Sequence, residues 1–180
     1  MDDAKVANTD LRKIYPDIRV RLAKVLTDMK DHFKEMRVTE GYRSFERQNY
    51  LYAKGRTLKD LEIATNSVPG NSLHNYGLAL DLAFKGTDPY SKSNPKIWED
   101  YGRIVRAHGF TWGGDWNNNG IKDKNDFDKP HIQLTYGLSL EEIKKKYASG
   151  RIEAIWSTID AIRGVPIGDR WLSEINNLGG

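Results

Sequence analysis

The segment from Leu78 to Phe84 constrains this chain most. Leu78, Leu80, Leu82 and Phe84 alternate with Ala79, Asp81 and Ala83. Successive side chains of a strand point to opposite faces, so one face is large and apolar and the other is small with a single carboxylate. The first face belongs to a core. The second suits the floor of a site, because a lone buried Asp is costly unless it is paired or bound to a cation.

Around this strand the periodicity is mostly helical. Pro16 opens a helix whose stripe is Ile18, Leu22, Val25, Leu26, Met29 and Phe33, with His32 at its boundary. A short strand over Arg37–Tyr42 leads to Ser44, which caps a helix from Phe45 to about Lys54, ended by Gly55. Residues 56–71 read as a substrate-side loop with little regular structure. Asn94 caps a helix beginning at Pro95 and burying Trp98, Tyr101, Ile104 and Val105; His108 falls near its end, where a cation favours the dipole. His131 to Leu134 reads as a strand, with Ile132 and Leu134 in the core and His131 and Gln133 facing a cleft.

Ser139 and Glu142 form a capping box for a helix through about Tyr147. A last helix, Arg151–Arg163, carries Ile152, Ile155, Trp156, Ile159 and Ile162 on one side. The fold class expected is α+β: a small antiparallel sheet with flanking helices around a metal site. Residues 1–140 form the main domain and 141–180 a short helical C-terminal extension packed on it; a small binding appendage, including Trp171, is the alternative.

Composition narrows the function. The chain has 180 residues, 38% hydrophobic and 29% charged, which is ordinary for one globular domain. No run approaches the roughly 20 apolar residues of a membrane span, so no stable membrane insertion is expected. A net charge of +3, spread along the chain, does not indicate nucleic-acid binding. There is no cysteine, so a metal site must draw on carboxylates and the four histidines. Catalytic zinc commonly takes three such ligands, and His74, Asp81 and His131 are the candidates. Spacing alone does not single them out.

Their surroundings do. Ser72-Leu73-His74-Asn75-Tyr76-Gly77-Leu78-Ala79-Leu80-Asp81 resembles the S-x-H-x-x-G-x-A-x-D signature of the zinc D-Ala-D-Ala carboxypeptidase and L-alanyl-D-glutamate peptidase family. Asp128-Lys129-Pro130-His131 resembles that family's second motif, and Gly41-Tyr42-Arg43-Ser44 with Gln48 its upstream segment. The resemblance spans about residues 35–140. It implies zinc on His74, Asp81 and His131, with Asp128 as catalytic base and Asp126 as its competitor. It also implies that Arg43 stabilises the oxyanion or grips a substrate carboxylate; a surface salt bridge is the plainer alternative. Gln48 and Ser72 are candidate substrate contacts, although Ser72 could instead orient His74.

Residues Tyr52–Thr57 and Trp112–Trp116 further resemble segments of phage endolysins that cleave between L-Ala and D-Glu. The implied activity is hydrolysis of peptide stems in bacterial peptidoglycan, with D,D-carboxypeptidase or dipeptidase action and a non-catalytic wall-binding module as alternatives. The start of the chain lacks a secretory signal. An endolysin-like protein made in the cytoplasm and released by a holin to act on the wall is the corresponding expectation.

A second pattern lies between the two zinc motifs. Asp115, Asn117, Asn119, Asp123 and Asp126 fall where an EF-hand loop places its side-chain oxygens, with Gly120 at the turn and Ile121 offering its carbonyl. Asp126 replaces the usual bidentate Glu. The expectation is a calcium ion ordering the approach to Asp128; a polar turn without an ion has the same composition.

Overall fold

The leucine face of the central strand finds its cover in the first helix. In a computed structural model describing residues 3–32, 34–86, 95–120 and 128–166, α1 (Pro16–His32) packs Ile18, Leu22, Val25 and Met29 into the core beside Leu78, Leu80 and Leu82. Phe33 and Asn94 lie outside the described residues. So do Ile121 to Phe127 and the chain beyond residue 166, with Trp171.

The sheet contains β1 (Met36–Glu40), β2 (Ala79–Phe84), β3 (Thr111–Trp112) and β4 (His131–Gln133) in the order β1-β2-β4-β3, antiparallel throughout. The fold is α+β as expected. β2 is central and buried along its whole length. Between β1 and α2 (Phe45–Ala53), the chain leaves the sheet earlier than its sequence indicates. Gly41 turns away to bond the Asn8 carbonyl at 2.7 Å, which frees its own carbonyl for the site. α3 (Pro95–Ala107) buries Trp98, Tyr101, Ile104 and Val105. His108, just past it, bonds Asp28 of α1 at 2.7 Å and so ties the two helices together.

The two C-terminal helical segments form α4 (Leu140–Arg163), interrupted where Gly150 is extended and Arg151 adopts φ 57°. Ile155, Trp156 and Ile159 are fully buried in the same core as β2. Ile162, expected on that stripe, is instead 52% exposed, because the helix runs past the core's edge one turn before Gly164 ends it. The capping box is formed in both directions: the Glu142 amide donates to Ser139 Oγ at 3.3 Å and the Ser139 amide donates to Glu142 Oε2 at 2.8 Å. Ser139→Ala is expected to lower stability by about 1 kcal/mol in urea unfolding; no change would mean that this end is held by packing alone. No helix among the described residues is long and apolar enough to cross a membrane.

Candidate metal centre

Sheet register brings two of the polar groups together. Asp81 of β2 stands directly opposite His131 of β4. His74 arrives from a 3-10 turn, Leu73–Tyr76, that closes through Gly77 at φ 68°. A Cβ on Gly77 would sit 2.4 Å from the Lys13 carbonyl oxygen and 3.0 Å from the Trp156 ring. The motif glycine therefore serves the backbone: it lets the turn press against the chain entering α1.

His74 Nε2, Asp81 Oδ1 and His131 Nδ1 form a nearly equilateral triangle. The separations are 3.2 Å between the two nitrogens, 3.1 Å from His131 to Asp81 and 3.3 Å from His74 to Asp81. Ligand atoms about 2.0–2.1 Å from a tetrahedral zinc stand roughly 3.3–3.4 Å apart, so the donor set fits such an ion. His74 Nδ1 faces the Gly41 carbonyl at 2.7 Å. A carbonyl only accepts, so the ring hydrogen is on Nδ1 and the Nε2 lone pair points into the triangle. Burial opposes the charge on Asp81, but His74 and His131 outweigh it and hold the carboxyl well below its usual range. Burial likewise opposes charge on His131, and Asp81 overrides it to raise that imidazole.

The other oxygen of Asp81 meets Arg43. Arg43 Nη2 lies 3.3 Å from Asp81 Oδ2 and 2.8 Å from Glu40 Oε2, while Nη1 donates to Gln48 Oε1 at 2.9 Å. Glu40 also receives Arg47 Nε at 2.6 Å. Arg43 is thus no surface salt bridge; it is buried, and its guanidinium is engaged chiefly with the protein. Gln48, a candidate substrate contact by sequence, is fully buried with its amide donating to the Ser67 carbonyl at 2.6 Å. It fastens Arg43 to residues 63–67 on the cleft wall and does not itself line the cleft.

Asp128, Ser72 and all three triangle residues line one cleft of about 630 Å³. Burial and the neighbouring Asp81 raise the Asp128 carboxyl against the pull of His131, His74 and Arg43. Its backbone is held at both ends, by Gly113 O at 3.1 Å and the His131 amide at 3.0 Å. Ser72 is nearly buried at the start of the His74 turn and makes no capping hydrogen bond with its side chain.

The sequence reading missed three supporting residues. Glu40 reaches the site through a β-bulge: Val38 pairs with Leu82, yet Glu40, not Thr39, pairs with Asp81. Asn75 is buried and clamps the Arg43 carbonyl at 2.7 Å and the Gly70 amide at 3.0 Å. Trp116 packs on His131 with ring centroids 5.2 Å apart. Asn75 lies inside the recognised motif, which was a usable signal; a bulge leaves none.

The calcium pattern is described only in part. Asp115 is buried, pairs with Arg106 at 2.8 Å and accepts the Asn119 and Gly120 amides at 3.1 Å each. Asn117 and Asn119 are exposed. Ile121, Asp123 and Asp126 lie outside the described residues.

Strands β2 and β4 and the turn before β2 thus present two histidines and an aspartate to one cleft, a donor set that can hold a metal ion. Residues 65–134 match the family model described as D-alanyl-D-alanine carboxypeptidase. It is 37% identical over 106 residues to the peptidoglycan L-alanyl-D-glutamate endopeptidase CwlK of Bacillus subtilis (strain 168), covering 54% of this chain and 59% of that protein's length. Among solved structures, the LdcB LD-carboxypeptidase aligns with TM-score 0.55 and 20% identity, over 84% of this chain and 74% of the other. The vancomycin-resistance D,D-pentapeptidase VanY, in complex with Zn(II), aligns with TM-score 0.51 and 20% identity, over 83% and 86%. At these identities the solved structures bear on the fold.

Proposed function

We propose that this protein is a zinc peptidase that hydrolyses the bond between L-Ala and D-Glu in the peptide stems of bacterial peptidoglycan. The observation that carries the peptidase reading is the buried triangle of two imidazole nitrogens and one carboxylate oxygen, opening on a cleft that also holds Asp128. Zinc held there supplies Lewis acidity, making a water acidic near neutral pH and polarising a carbonyl.

The chain's own groups do the rest. Asp128 takes the proton from the attacking water and delivers it to the leaving amine, a role that suits a carboxyl raised above its usual range. Arg43 holds the outer oxygen of Asp81 and leaves the inner one to the triangle. The wall at residues 63–67, tied down through Gln48, borders the groove where the stem would lie.

The choice of scissile bond is supported by the sequence likeness to CwlK. The rival, D,D-carboxypeptidase action on D-Ala termini, shares the same centre. An endolysin-like protein, made in the cytoplasm and reaching the wall with a holin, extends the proposal on sequence likeness at residues 52–57 and 112–116. Digestion of purified muropeptides distinguishes the bonds. A new N-terminal D-Glu is expected; release of free D-Ala without it would replace this reading by the carboxypeptidase.

A further inference from the structure

We propose that Gln133 is a positioning residue for this centre, holding His131 in the tautomer that presents Nδ1 to the metal. The inference rests on the zinc reading above. His131 and Gln133 are two residues apart on β4 and so share a face. His131 Nε2 lies 3.0 Å from Gln133 Oε1, while Nδ1 lies in the triangle with His74 and Asp81.

The amide oxygen only accepts, so the hydrogen between the two groups is on Nε2 and the Nδ1 lone pair is left facing inward. His74 is set in the opposite sense by the Gly41 carbonyl, with Nδ1 donating and Nε2 facing inward. The two supports differ in kind. The Gly41 carbonyl is backbone, placed by the end of β1, whereas Gln133 is a side chain and can be replaced.

The alternative position for the His131 hydrogen shows what Gln133 prevents. On Nδ1 that hydrogen would point at Asp81 Oδ1, 3.1 Å away. It would then occupy two of the three ligand atoms in one hydrogen bond, and an incoming ion would have to displace it. Gln133 also borders the cleft, so the competing role is a substrate contact. The two separate cleanly: a substrate contact changes KM and leaves zinc affinity alone, whereas a tautomer lock changes zinc affinity with no substrate present.

The test is chelator competition for zinc on the purified full chain, comparing wild type with Gln133→Leu and Gln133→Glu. The leucine variant is expected to bind zinc about 10–100-fold more weakly. The glutamate variant keeps an acceptor and is expected to bind at least as tightly as wild type. Nitrogen NMR of the zinc-free wild type with neutral histidines should show His131 carrying its hydrogen on Nε2, a readout that needs no variant and decides the matter if the leucine protein fails to fold. Unchanged zinc affinity in the leucine variant, or a hydrogen on Nδ1 in the zinc-free wild type, would overturn the role of Gln133. Wild-type protein that takes up no zinc would instead sink the metallopeptidase reading beneath it.

Discussion

Replacing Asp128 by Asn is expected to leave zinc content unchanged and lower turnover on muropeptides by roughly 10²–10⁴-fold, the usual contribution of a positioned acid–base group. The substitution is nearly isosteric. The backbone bonds of Asp128 to Gly113 and His131 do not involve the side chain, so the turn before β4 should stay in place. The carboxyl is outside the ligand triangle, so the ion should stay as well. What the amide cannot do is take a proton from water and hand it on. Metal analysis and turnover on the same preparation check both halves. Near-wild-type turnover would remove Asp128 from the mechanism and move attention to Asp126; loss of zinc would show Asp128 to be part of the metal's support.

Trp156→Ala is expected to destabilise the protein by about 3–5 kcal/mol, the usual cost of emptying a large aromatic site. That is a large share of the roughly 5–15 kcal/mol that keeps a domain folded. Trp156 is fully buried, packs edge-on against Tyr15 with ring centroids 5.7 Å apart and donates its indole N–H to the Tyr76 carbonyl at 3.1 Å. Tyr76 closes the turn that carries His74. The substitution should therefore weaken zinc binding along with stability. Chemical unfolding measures the first effect and chelator competition the second. A loss below about 1 kcal/mol, with zinc affinity intact, would mean that α4 is an appendage, since packing on the core carries the larger cost.

The elements were legible wherever local chemistry sets them. Ser44 and the Ser139–Glu142 pair are caps in the structure as in the sequence, because a cap depends on residues within one turn. The break at Gly150 and Arg151 falls between the two helices read from sequence, one through about Tyr147 and one from Arg151. The face of β2 that carries Asp81 followed from a period of two. Ile162 went astray because periodicity states which side of a helix faces inward, not where the core ends.

For the site, the order is similar. His74, Asp81 and His131 were named through a motif, and the motif glycine now has a reason in the approach of Gly77 to Lys13. Their meeting depends on a register, Asp81 opposite His131, across 50 residues of chain. Glu40 beside Asp81 depends on a bulge, and the burial of Gln48 depends on how α2 packs against the loop at Ser67. By itself the sequence determined the helices that frame the site, because caps and stripes follow from residue chemistry and short-range geometry. The candidate ligands and base came from likeness to a family's motifs, since spacing alone does not single them out. Only the tertiary structure decided which nitrogen of each histidine points into the triangle, and that Arg43 and Gln48 brace the site from within. Hydrogen-bond partners such as the Gly41 carbonyl and Gln133 Oε1 acquire their distances only when the sheet is assembled.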